Sequence, residues 1–144
     1  MPPRPDLLRT GDPTVQRGQS GQTARMKAAV TQHQYATVVA LSGELDAHTA
    51  GRLRSLLAEQ LLAGPGNLVI DLSGLSFIDS AGLGVLIAAD KGMRRAGTQL
   101  VLAAPRPPVD KVLRLTGLTA VLTTAPTVDE ALGLLVPDAQ GSAG

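Results

Sequence analysis

The run Phe77-Ile78-Asp79-Ser80-Ala81-Gly82-Leu83-Gly84-Val85-Leu86 sets a hydroxyl beside a carboxylate where an apolar strand pattern gives way to a helical one. A serine at such a point can take a phosphoryl group from another protein, because the first-turn amides and the positive end of a helix dipole favour an added anion. Ala81 and Gly82 are small and would leave room for a partner's active site. Ser and Asp are also ordinary helix N-caps, and taken alone the pair reads as a cap before it reads as a switch.

A second cluster, Gly43-Glu44-Leu45-Asp46-Ala47-His48-Thr49, ends an earlier strand pattern. If the two strands are parallel neighbours, both turns emerge beyond the carboxyl ends of the sheet, where α/β folds place their sites. Asp46 and Ser80 are then expected close together, on an edge made acidic by Glu44, Asp46 and Asp79. Asp46 reads as a cap for the following helix, as a partner contact, or as both.

Other chemistries find little support. A serine nucleophile needs an oriented imidazole, and the only histidines are His33, in a turn between strands, and His48, which has Asp46 as its sole evident orienting carboxylate. Gly82-Leu83-Gly84 is not followed by the Gly-Lys-Ser or Gly-Lys-Thr of a phosphate-binding loop and lacks the third glycine of a dinucleotide fingerprint. Two histidines without cysteine make a poor metal set. No catalytic residue, cofactor or metal is implied.

The elements that must position the two turns are readable from periodicity. Ala28–Gln32 and Thr37–Glu44 read as strands joined near His33-Gln34-Tyr35, a hairpin at a sheet edge. Leu53, Leu56, Leu57 and Leu61 recur at helical spacing and stop at Gly64-Pro65-Gly66. Asn67–Leu72 is a nearly continuous apolar run, as expected of a strand covered on both faces. After Ser80, Leu83, Leu86, Ile87 and Met93 mark one face of a helix ending near Gly97, with Asp90, Arg94 and Arg95 on the other. Gln99–Ala103 reads as a strand, the segment through Val109, Val112, Leu113 and Leu115 to Gly117 as a helix, Val121-Leu122-Thr123 as a short fifth strand, and Thr127–Leu135 as a last helix opened by a Thr127/Glu130 capping box. Strands separated by single helices imply right-handed crossovers and a largely parallel sheet. The expected fold is α/β, one domain with a mostly parallel mixed sheet of about five strands and about four helices.

With 144 residues the chain fits one such domain. It has no cysteine, so disulfides and thiolate chemistry are excluded and nothing suggests an oxidising compartment. No apolar run approaches the ~20 residues of a membrane span, and Met1-Pro2-Pro3-Arg4-Pro5-Asp6 lacks the apolar core of a signal peptide. A cytoplasmic protein without membrane insertion is expected. A formal charge of +1, with one Tyr and one Phe, gives no pull toward nucleic acid and no base-stacking platform. Residues 1–24 are rich in Pro, Gly, Gln and Ser and mildly basic, which reads as a disordered tail. The folded domain is expected over 25–136, with a flexible end over 137–144. The absence of a large apolar stripe makes a monomer the simplest expectation.

Gly43-Glu44-Leu45-Asp46 followed by His48-Thr49-Ala50, then Leu75-Ser76-Phe77-Ile78-Asp79-Ser80-Ala81-Gly82-Leu83-Gly84-Val85-Leu86, then Leu115-Thr116-Gly117-Leu118, resembles the STAS domain of bacterial anti-sigma factor antagonists over about residues 25–136. The resemblance implies a binding switch rather than an enzyme. Unphosphorylated, such a protein docks on an anti-sigma factor of the GHKL-type serine kinase class and frees the sigma factor. The kinase phosphorylates Ser80, and a PP2C-type phosphatase resets it. The implied docking surface comprises Glu44, Asp46, His48, Thr49, Asp79, Ser80, Ala81, Gly82 and Leu83. Many family members follow the switch serine with another Ser or Thr; Ala81 leaves Ser80 as the lone hydroxyl there. The segment before residue 25 is longer than the compact family form. Competing readings are an unmodified STAS scaffold in a signalling or lipid-transport complex, and a small nucleotide-binding protein using the acidic edge.

Overall fold

A computed structural model describes residues 26–63 and 66–137; the expected N-terminal tail, Gly64-Pro65 and nearly all of the expected C-terminal tail lie outside them. The described chain runs β1 (Met26–Gln32), β2 (Thr37–Leu45), α1 (Ala50–Ala63), β3 (Leu68–Ile78), α2 (Ser80–Arg95), β4 (Leu100–Ala103), α3 (Pro107–Leu115), a 3₁₀ turn (Leu118–Ala120), β5 (Thr123–Ala125) and α4 (Val128–Leu135). The strands lie in the order β1-β2-β3-β4-β5, with β1 antiparallel to β2 and the remaining neighbours parallel. This is the α/β fold and the edge hairpin that the residue pattern implied.

Alternation along the strands sorts the core into two layers. Val39, Leu41, Leu68, Ile70, Leu72, Leu100 and Leu102 pack with Leu53 and Leu57 of α1, Leu83, Leu86 and Met93 of α2, and Val109 and Leu113 of α3. Val38, Val69, Val101, Ala103 and Ala125 face the other way, against Ala131 and Leu135 of α4. The Thr127 hydroxyl caps α4 by accepting from the Glu130 amide at 3.0 Å.

Three elements depart from the sequence expectation. The third strand does not end at Leu72 but runs to Ile78, because its register against β2 shifts twice, between Ala40 and Ser42 and between Gly43 and Glu44. Each bulge inserts a residue, so Leu72, Leu75 and Ile78 all enter the core although they recur every third position, a period that no regular strand shows. The fifth strand is not Val121–Thr123 but Thr123–Ala125: Leu118–Ala120 forms a 3₁₀ turn, and the Val121 carbonyl accepts from an Arg94 guanidinium N–H at 3.0 Å. Asp90, expected on the solvent face of α2, is only 4 % exposed and accepts from Arg94 Nε at 2.8 Å, so the pair ties α2 to the segment entering β5.

Candidate functional site

The ends of β2 and β3 lie side by side. Leu45 and Ile78 are register partners, and the Asp79 amide donates to the Leu45 carbonyl at 3.1 Å. Each strand then passes into its helix through an aspartate. Asp46 Oδ1 accepts from the amides of His48 at 2.9 Å and Thr49 at 3.2 Å. Asp79 Oδ1 accepts from the amides of Ala81 at 2.9 Å and Gly82 at 3.2 Å. The cross-strand register therefore brings together the two capping turns, as the parallel arrangement required.

The structure resolves the ambiguity between cap and hydroxyl. Asp79, with extended backbone angles, is the N-cap of α2, and Ser80 is the first helical residue, exposed to solvent. Among the described residues no side-chain hydrogen bond engages the Ser80 hydroxyl. The amides of Ala81 and Gly82, which the sequence offered as free anion donors, are occupied by the Asp79 carboxylate. An anion added at Ser80 would therefore sit beside that carboxylate or displace it.

At the other turn the hydroxyl points inward. Thr49 is 1 % exposed; its Oγ1 donates to the Glu44 carbonyl at 2.9 Å and accepts from the Asp46 amide at 2.9 Å. Burial alone would push the Asp46 carboxyl up, but the amides of His48 and Thr49, the Thr49 hydroxyl and the neighbouring imidazole together hold it below the ordinary carboxylate value. His48 Nδ1 lies 3.9 Å from Asp46 Oδ1 with its side chain 87 % exposed.

The residues of the expected docking surface lie at different depths. Ser80 and His48 are exposed, and Glu44, Asp46, Asp79 and Ala81 are half-buried. Thr49, Gly82 and Leu83 are buried. Packing requires Gly82 to be small: a Cβ there would lie 2.6 Å from Leu45 Cγ and 3.0 Å from Ile78 Cγ1. The open glycine is Gly84, where an added Cβ meets nothing within 4 Å. Two residues of the quoted motifs have roles that residue order does not assign. Leu45 ties the end of β2 to the turn after β3: its carbonyl accepts from the Asp79 amide and its side chain lies against Gly82. Phe77, paired in register with Glu44, is 48 % exposed; the signal was its position outside the Leu72-Leu75-Ile78 spacing.

A STAS domain model matches residues 27–131, and the chain belongs to the STAS domain family. An anti-sigma F factor antagonist of Paenibacillus polymyxa is 33% identical over 91 residues, covering 62% of this chain and 78% of that protein. The crystal structure of an anti-sigma factor antagonist from Mycobacterium paratuberculosis matches with a TM-score of 0.69 at 31% identity, over 81% of this chain and 98% of that one. The anti-sigma factor antagonist SpoIIAA shares the fold in its unphosphorylated form, with a TM-score of 0.65 at 24% identity over 82% of this chain and 100% of that one. Its phosphorylated form, from Bacillus, gives 0.60 at 23% identity over 76% of this chain and 100% of that one. Family membership sets the chain among regulatory binding proteins rather than enzymes. Among the described residues no helix is long and apolar enough to cross a membrane.

Proposed function

We propose that this chain is an anti-sigma factor antagonist that docks through the paired turns at the carboxyl edge of its sheet and is switched by phosphorylation of Ser80. The partner is a GHKL-type anti-sigma factor serine kinase, which holds a sigma factor until the unphosphorylated antagonist displaces it; a PP2C-type phosphatase restores the hydroxyl. The observation that carries this reading is the division of labour at the start of α2. Asp79 does the capping, which leaves Ser80 exposed and available for transfer of a phosphoryl group.

The switch has a physical basis. A phosphate adds about −1.5 to −2 charge at pH 7. It arrives beside Asp79 and next to the turn that carries Asp46, so the added charge is poorly compensated locally and bears on any surface docked there. If repulsion and desolvation across that surface cost ~3 kcal/mol, affinity falls more than a hundredfold. The core lies below Ser80 and keeps its packing. SpoIIAA, which shares the fold and has been solved in both states, supports a scaffold that tolerates the modification.

The test is a pull-down from source-cell lysate with wild type, Ser80→Ala and Ser80→Asp as baits, bound proteins being identified by mass spectrometry. A GHKL-type kinase retained by Ser80→Ala and lost by Ser80→Asp is the expected result. Equal recovery of one partner by all three baits would show Ser80 to be a helix residue of a constitutive scaffold.

A further inference from the structure

We infer that Phe77 is the apolar anchor of the docking edge, inserting into an apolar pocket of the anti-sigma factor whose rim is basic. The inference rests on the docking reading above and adds the chemistry of the partner's surface. Ile78 enters the core against the helices, so Phe77, its neighbour in the strand, is directed to the opposite face. There α4 covers the half of the sheet formed by β3, β4 and β5 near Val69, Val101 and Ala125, and Phe77 lies beyond it at the end of β3, with Ser73 and Ser76 also exposed. It is the one phenylalanine in the chain and remains 48 % exposed, two residues before Asp79 and three before Ser80. The second β3 bulge holds it there: Leu75 pairs with Gly43 and Phe77 with Glu44, so the intervening Ser76 is the inserted residue.

The surroundings define what fits. Glu44 is the cross-strand neighbour of Phe77, and Asp46 and Asp79 follow at the two strand ends. Neither 42–48 nor 73–83 contains a lysine or arginine; Lys27, opposite Ser42 on β1, is the nearest cation in the register. A single aromatic within an acidic rim matches an apolar pocket bordered by lysines or arginines, the usual composition of an energetic centre inside a charged interface. The other strongly exposed apolar side chains among the described residues, Leu62, Leu115, Val121, Leu134 and Val136, lie outside β2, β3 and the turns that follow them.

The experiment titrates the purified GHKL-type kinase recovered by the Ser80→Ala bait into the full chain, as wild type, Phe77→Ala, Phe77→Leu, Ser80→Asp and a distant control, Leu62→Ser, with thermal melts of each. Phe77→Ala is expected to weaken binding at least about 30-fold, with Phe77→Leu intermediate, the control unchanged and all melts close to wild type. Affinity of Phe77→Ala within about threefold of wild type, while Ser80→Asp abolishes binding, overturns the anchor and leaves the switch standing. Loss with Phe77→Ala but none with Ser80→Asp supports the anchor and removes the switch. If sedimentation shows instead that Phe77→Ala only dissociates a dimer of this chain, with kinase affinity intact, the occupant is a second copy and the inference falls.

Discussion

At the end of β2, Asp46 accepts hydrogen bonds from the amides two and three residues on, and at the end of β3, Asp79 does the same. The hydroxyls that accompany these caps have opposite fates. Thr49 turns inward, 1 % exposed, and closes the first turn by bonding the Glu44 carbonyl and the Asp46 amide. Ser80 turns outward, with its side chain excused from capping by the aspartate before it. A buried, doubly bonded hydroxyl serves architecture and is inaccessible to an enzyme; an exposed one of the same chemical type can be modified with little cost to the fold. The contrast lies in which residue of each turn the packing admits: Thr49 is drawn in by the Glu44 carbonyl and the Asp46 amide, while Ser80 has no such partner among the described residues.

The largest effect is expected where Leu45 lies under the second turn. Leu45→Ala is expected to destabilise the domain by about 2–5 kcal/mol, since the side chain is fully buried. Gly82→Ala, which drives a Cβ against Leu45, is expected to cost about 1–3 kcal/mol alone. In the Leu45→Ala background it should cost less, because the nearest opposing atoms are gone and only Ile78 Cγ1 remains. Denaturant unfolding of both single variants and the double variant measures this coupling, and strict additivity would show that Gly82 is not held small by Leu45.

Next in size is the contrast between the hydroxyls. Thr49→Val keeps the shape but removes the hydroxyl's bonds to the Asp46 amide and the Glu44 carbonyl, for an expected loss of about 1–3 kcal/mol. Ser80→Ala should stay within about 0.5 kcal/mol of wild type. Equal losses in thermal or urea melts would erase the distinction between a structural and a modifiable hydroxyl.

The smallest effect concerns acid. The Asp46 carboxyl titrates below its ordinary value in the folded chain. Its stabilising contribution is therefore fully present above the unfolded carboxylate value of about 4 and is lost as pH falls through the lower folded value. Melting temperatures of wild type and Asp46→Asn between about pH 5 and pH 3 should converge as the medium becomes acid. Parallel curves would show that the carboxylate charge contributes nothing at this turn.

Much of the architecture could be read in residue order because it depends on local physics. Leucines at helical spacing in α1, the apolar run opening β3 and the capping Thr127 are patterns that neighbouring residues impose on one another. The Glu44–Asp46 and Asp79–Ser80 motifs were visible for the same reason, together with the expectation that parallel strands would bring them to one edge.

What residue order left open was decided by contacts distant in sequence. Register against β2 carried β3 through two bulges to Ile78, and those bulges sent Phe77 outward. Asp90 is buried with Arg94 paired to it, and the same guanidinium reaches across to the Val121 carbonyl ahead of β5. Gly82 proved to be a packing requirement imposed by Leu45, a residue 37 positions earlier in the chain. Side-chain types announce which groups are able to cap, bond or react; whether a given hydroxyl faces core or solvent is settled by the volume and hydrogen-bonding groups that other strands and helices bring against it, and those are known only once the chain has folded.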